Sequence, residues 1–264
     1  MLKHKKLTYL FISIFLFVLL AVSFIRQQYV VPILMYHSVR PDAEKENRLA
    51  VSAESFKRQM QFLKKFNYNV LPLDELAKLI REKKTIPMRT VAITFDDGYK
   101  DNYKFAFPVL KEYQIPATVF LIVNEIGRSQ NDRLSWQEIR EMRGSGLVDF
   151  GSHCLGPEPL VNFTSDSKIQ KEILLSKKIL ERKLGIPIAA FSYPEGRFSE
   201  KIKNMVRRAG YELAVVTSPG KRYPDDDVFL LKRLRISSTS DNLFVFWLES
   251  SGFYTFIKEH RDDD

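Results

Sequence analysis

Residues Thr90–Tyr103 read TVAITFDDGYKDNY, and the fold turns on this stretch. The apolar, β-branched run Thr90–Phe95 predicts a buried strand that ends in two adjacent carboxylates and a glycine. Successive side chains of a strand point to opposite faces, so Asp96 and Asp97 reach one pocket only if the pleat breaks, and Gly98 permits the break. At the C-terminal end of a parallel strand, such a pair suits a metal ligand and a general base. The same residues also suit a plain polar exit, with one Asp capping a helix and the other solvated.

Outward from this strand the chain alternates. Val30–Tyr36 predicts a strand with His37 at its exit, and Arg40–Arg48 a loop. Ser52 is placed to cap a helix carrying Phe56, Met60 and Leu63, followed by a short strand at Tyr68–Leu71 and a helix through Leu73, Leu76, Ala77 and Ile80. Past the central strand come a helix around Phe105–Glu112 and a strand at Ala117–Val123. Ser135 and Glu138 form a capping-box pattern for a helix running to Gly144, and Leu147–Ser152 is a strand that delivers His153. A long helix through Ile169, Ile173 and Leu180 follows, then a strand at Ala189–Tyr193, a helix stopping at Gly210, strands at Leu213–Thr217 and Leu230–Ile236, and a helix at Asn242–Leu248. This alternation predicts an α/β fold with a parallel sheet of about seven strands, able to curl into a barrel. No glycine-rich phosphate-binding loop is present.

The N-terminus has a different chemistry. Lys3, Lys5 and Lys6 precede an uncharged apolar run, Leu7–Ile25. The expectation is a cytoplasmic stub at 1–6, a transmembrane anchor at 7–25 and an extracellular domain at 26–264, single-pass with the N-terminus inside. If Ala21-Val22-Ser23 is cleaved as a signal peptide, the domain is secreted instead. The net charge of +9, from 41 basic and 32 acidic residues, suits anionic surfaces such as a cell wall or phospholipid headgroups. No basic stripe interleaved with aromatics argues for nucleic acid. One cysteine, Cys154, excludes an internal disulfide framework, and adjacent to His153 in an extended segment it reads as a small buried side chain. Of four histidines, His4 and His260 fall in the termini, which leaves His37 and His153 for a site.

TFDDG at Thr94–Gly98, GSH at Gly151–His153, FSYPEG at Phe191–Gly196, PILMYH at Pro32–His37 and LKRLRI at Leu231–Ile236 together resemble the polysaccharide deacetylases with a NodB homology domain, carbohydrate esterase family 4. The opening Tyr36-His37 is similar to that of the poly-N-acetylglucosamine deacetylase branch. The resemblance implies a distorted (β/α) barrel acting on an N-acetylated polysaccharide or peptidoglycan through a divalent cation, zinc first, with cobalt or nickel as alternatives. It implies Asp96 as catalytic base and Asp97 and His153 as metal ligands; the late motif that carries a catalytic-acid histidine in many relatives has none here, which leaves His37 as the candidate acid for the leaving amine. Tyr193, Pro194, Glu195 and Gly196 would bind substrate, the Glu195 N–H helping to hold the oxyanion.

Three departures accompany the resemblance. Pro157 stands where the H-x-x-x-H pattern has its second histidine, so Glu158 is the candidate third ligand. Ser192 replaces the arginine that orients the base, and Glu195 replaces an aromatic residue. They keep open a second reading, a membrane-tethered carbohydrate-binding protein that has lost its metal.

Overall fold

The computed structural model describes residues 11–20, 23, 29–43, 47–128, 130, 132–217 and 227–254. Residues 11–20 are helical and exposed, while the remainder of the expected 7–25 span, apart from Ser23, lies outside the described residues. Among the described residues no helix is long and apolar enough to cross a membrane.

The elements in chain order are β1 (Ile33–Tyr36), β2 (Ser38–Arg40), β3 (Ala50–Ser52), α1 (Ala53–Lys65), β4 (Asn69–Val70), α2 (Leu73–Arg81), β5 (Thr90–Phe95), α3 (Phe107–Tyr113), β6 (Ala117–Leu121), α4 (Trp136–Gly144), β7 (Val148–Ser152), α5 (Asp166–Leu184), β8 (Ala190–Ser192), α6 (Glu200–Arg208), β9 (Leu213–Val216), β10 (Leu231–Lys232), β11 (Leu234–Arg235) and α7 (Leu243–Ser250). The predicted rhythm holds, and the local signals act as read. Ser52 accepts the Ser55 N–H at 3.1 Å. Ser135 and Glu138 exchange both bonds of the capping box, at 2.8 and 3.3 Å. Two local features depart from the sequence reading, besides the closing strand described below. Ser38–Arg40 is a strand paired with Ala50–Ser52, so Arg40, read as the start of the loop, ends a strand instead, and a π-helical turn at Asn102–Ala106 precedes α3.

The main sheet has nine strands, with spatial order β10-β9-β8-β7-β6-β5-β1-β11 and β4 paired to the start of β5. Every pairing in it is parallel. The expected single strand Leu230–Ile236 is therefore two. Leu231–Lys232 pairs with β9 and Leu234–Arg235 with β1, so the chain itself bridges the two ends of the sheet at Arg233 and nearly closes a barrel.

Strand alternation then sorts the side chains. Ala92, Phe120, Ala190, Leu213, Val215 and Leu231 point inward, and Leu73, Leu76 and Ala77 of α2 pack with them to plug the mouth where the strands begin. Val91, Ile93 and Phe95 point outward into the larger core beneath the helices. On β5 this alternation places Ala92, Thr94 and then Asp96 on the inner face. The open, chemically useful end is where the strands finish.

Candidate active site

Asp96 continues the β5 ladder, its N–H donating to the Tyr36 carbonyl at 2.9 Å, and its carboxylate is buried inside the barrel. Burial alone would raise its pKa, but the adjacent Arg233 guanidinium reverses the balance and, with smaller contributions from His153 and His37, holds the carboxyl well below its ordinary value. Arg233 is 0% exposed. Its Nη1 and Nη2 donate to Asp96 Oδ1 and Oδ2, both at 2.6 Å, as a bidentate fork. The other donors go to Thr94 Oγ1 at 3.2 Å, Ser192 Oγ at 3.0 Å and the Val216 carbonyl at 3.1 Å. All five N–H groups of the guanidinium are thereby used.

Asp97 escapes the alternation by its own backbone. Its φ is +67°, the left-handed region that Asp tolerates better than most residues, and Gly98 follows at +63°. A side chain at Gly98 would also meet Leu121 Cδ2 at 2.7 Å. The pleat thus breaks one residue earlier than the glycine alone implied. Both carboxylates stand at one strand end, excluding the reading in which they only cap a helix or face solvent.

His153 follows β7, its N–H held by the Leu121 carbonyl at 2.9 Å. Its Nδ1 lies 2.8 Å from the Ser192 carbonyl, which can only accept, so Nδ1 carries the proton. Nε2 then faces Asp97 Oδ1 at 3.5 Å. Two acceptors face to face require a cation or a proton between them, and an imidazole fixed through its other nitrogen is how a metal-ligating histidine is oriented. The donor chemistry therefore fits a divalent cation at two points. The third expected ligand is not brought to it: Glu158 is exposed, its carboxylate taken by the Asn162 amide. Among the described residues no three His, Cys, Asp or Glu side chains are grouped to hold a metal. Cys154 is free and buried, as read.

His37, between β1 and β2, is buried with its Nδ1 unpartnered. Burial lowers its pKa, opposed by Asp96 and Asp97, so the resting ring is neutral. The segment behind it is fastened to the turn after the motif, where Asp101 accepts from the Ser38 hydroxyl and from the Val39 N–H at 3.2 Å.

The 193–196 segment corrects one expectation. Tyr193 is fully buried, edge-on to Phe191 at 5.2 Å, and packs in the core instead of offering a ring to a sugar. Pro194 is buried beside it. Glu195 turns outward, 62% exposed and 3.5 Å from Arg197, so its charge does not face the buried carboxylates. Its backbone is pinned by Thr217 Oγ1, which donates to the Glu195 carbonyl at 2.9 Å. Gly196, at φ +68°, lies so close that a Cβ would sit 2.0 Å from that hydroxyl. Trp136 is half-buried against the core.

Arg233 is the residue the sequence reading passed over, although it was quoted within LKRLRI. The signal was present, because an arginine in the middle of a run read as buried strand must find an anion. Asp96 had just lost the arginine expected at Ser192.

The polysaccharide deacetylase family model matches residues 83–214. The poly-beta-1,6-N-acetyl-D-glucosamine N-deacetylase of Staphylococcus epidermidis is 32% identical over 240 residues, covering 86% of this chain and 82% of its own. Among solved structures, the deacetylase PplD of Streptococcus pyogenes, in complex with acetate, has a TM-score of 0.74 at 28% identity, covering 83% of this chain and 98% of its own. IcaB from Ammonifex degensii has a TM-score of 0.74 at 25% identity, over 84% of this chain and 97% of its own. With a nearly closed parallel barrel and a buried, charge-paired aspartate beside a second carboxylate and two histidines, this chain belongs to the polysaccharide deacetylase family, as a hydrolase of carbon–nitrogen bonds.

Proposed function

We propose that the chain releases acetate from an N-acetylated, poly-N-acetylglucosamine-like polysaccharide, working outside the cell from a membrane anchor at residues 7–25. The observation that carries the reading is Asp96, a buried carboxylate kept ionised by Arg233 at the end of the barrel where His37, Asp97 and His153 also sit.

Asp96 takes a proton from the attacking water, and Arg233 keeps its lone pairs charged and aimed. His37 starts neutral. It takes up a proton from solvent as negative charge develops beside it, and passes that proton to the leaving amine. Asp96 releases its own proton to solvent as acetate departs. The backbone N–H of Glu195, on a segment pinned by Thr217, is the candidate donor to the oxyanion. A divalent cation held by Asp97 and His153, zinc first with cobalt and nickel as alternatives, would supply Lewis acidity toward the carbonyl oxygen and the water.

The test is acetate release by the full chain from poly-β-1,6-N-acetylglucosamine, with Asp96→Asn as the paired variant. Loss of a general base predicts a fall of about 10²–10⁴-fold. Full activity in Asp96→Asn removes Asp96 from the role. Polymer binding without acetate release, with cation supplied, transfers the conclusion to the tethered carbohydrate-binding protein, which the stranded Glu158 favours.

A further inference from the structure

We propose that the groove between α1 and α7 is a membrane-docking surface that lays the domain on an anionic lipid bilayer, with the active site facing away. The groove encloses about 730 Å³ and is lined by aromatic residues, among them Phe66, Phe244 and Trp247, and by Arg58, Lys65 and Arg89, with no acidic residue among its lining. Large apolar side chains are exposed here: Phe66 and Trp247 are each 45% exposed and Phe244 67%. The Phe244 and Trp247 rings lie 5.5 Å apart, and the Lys65 ammonium sits 5.9 Å from the Phe66 ring centroid. Arg89 Nη1 donates to the Phe66 carbonyl at 3.3 Å, and Arg58 keeps a loose, exposed pair with Glu54 at 3.3 Å. Aromatic rings ringed by lysine and arginine are the side chains that settle at the headgroup level of a bilayer.

The second observation is where the chain enters. Tyr29 Oη donates to the Thr90 carbonyl at 3.2 Å, and the Val30 N–H donates to the Gly252 carbonyl at 2.9 Å. Thr90 adjoins the groove residue Arg89, and Gly252 lies just past the end of α7. The apolar run ends at Ile25, and four residues of chain span at most about 14 Å. With the anchor proposed above, on which this placement rests, a bilayer holding residues 7–25 is within reach of this face. Tyr68 and Arg89 line the groove immediately before β4 and β5, whereas the catalytic groups stand after β5, about 20 Å further along the strand direction.

Charge selects the occupant. The N-acetylated chain is uncharged and gains nothing from the three basic side chains, and its deacetylated product is cationic and is repelled by them, whereas an anionic headgroup is attracted by each, at about fivefold in affinity per residue near the surface.

The chain has two tryptophans, Trp136 and Trp247, so Trp136→Phe leaves Trp247 as the only indole. The full chain carrying this substitution is placed in phosphatidylglycerol–phosphatidylcholine vesicles containing brominated lipid, and Trp247 emission is followed. The expected result is quenching by the brominated lipid, absent in the Trp247→Phe chain. It should weaken severalfold in an Arg58→Gln, Lys65→Gln, Arg89→Gln variant whose acetate release is unchanged. Quenching by soluble acrylamide but not by brominated lipid overturns the proposal. Protection from both quenchers means that protein covers the groove, a second copy or the chain's own segment, and overturns it equally.

Discussion

Replacing Arg233 by methionine keeps most of the volume and removes the charge from the centre of the barrel. Asp96, Thr94, Ser192 and the Val216 carbonyl all lose a donor at once. Removing one partner of a buried pair costs about 3–5 kcal/mol. At roughly 2–4 °C per kcal/mol in a chain of this size, the melting temperature should fall by about 6–20 °C. The chemistry should suffer separately. Burial, now unopposed by the guanidinium, raises the Asp96 carboxyl above its ordinary value, and each unit by which that pKa exceeds the assay pH costs about tenfold in ionised base. In the wild-type chain Asp96 is depressed, so its stabilising contribution is complete above the ordinary carboxylate pKa and is lost only as pH falls through the folded value. Acetate release should accordingly show no acid limb from Asp96 under mild conditions, whereas Arg233→Met should bring one into the assayable range. Arg233→Lys keeps the charge without the fork and should fall between the two. The restoring experiment moves the guanidinium across the barrel: Ser192→Arg with Arg233→Ser should recover activity relative to Arg233→Ser alone, because Ser192 Oγ is 3.0 Å from Arg233 Nη2 and 3.4 Å from Asp96 Oδ2. An Arg233→Met chain with a wild-type acid limb, or a relocated arginine that restores nothing, would refute the reasoning.

Asp101→Ala should release the segment that follows His37, costing about 2 kcal/mol of stability for two bonds to a carboxylate and at least about tenfold in acetate release; unchanged release would show that His37 is held without it. Glu158→Ala should leave calorimetric zinc binding intact and shift stability by no more than about 0.5 kcal/mol, since the carboxylate is exposed and engages only Asn162, while His153→Ala should abolish zinc binding; a loss in the first variant puts Glu158 on the cation. Gly196→Ala should cost about 1–3 kcal/mol, because φ is +68° and the Thr217 hydroxyl occupies the Cβ position, and it should reduce acetate release by moving Glu195. A soluble, fully active Gly196→Ala chain would show that this turn does not set the site.

The barrel was legible because the strand signals are long, apolar and punctuated. The two carboxylates could be placed at a strand end because a β-branched run followed by DDG has few other readings. What escaped was long-range. Leu230–Ile236 reads as one strand at any local scale, and only barrel closure reveals that its halves pair with opposite ends of the sheet. The family resemblance implies that Tyr193 binds substrate, whereas its place at the end of a strand leads it into the core beside Phe191. Ser38–Arg40 pairs with Ala50–Ser52 and is also held by Asp101 through Ser38 and Val39, a contact between distant residues to which local propensity is blind.

Two of the motif departures have opposite outcomes, and barrel geometry accounts for both. Inward positions near the strand ends converge on one small volume, so an arginine contributed after β10 reaches the same carboxylate that one on β8 would reach, and the loss at Ser192 is made good by Arg233. Pro157 lies instead in the loop after β7, where neighbouring residues diverge and each side chain's direction is set by local turns. Glu158, one residue on, faces solvent and holds Asn162. A lost strand-end group can be replaced from another strand without moving the backbone, whereas a lost loop ligand needs the loop rebuilt. Asp96 thus keeps a complete set of partners, and the proposed cation would have only Asp97 and His153 to hold it among the described residues. Substitutions around Asp96 should therefore cost more acetate release than substitution of Glu158, which is exposed and engages Asn162.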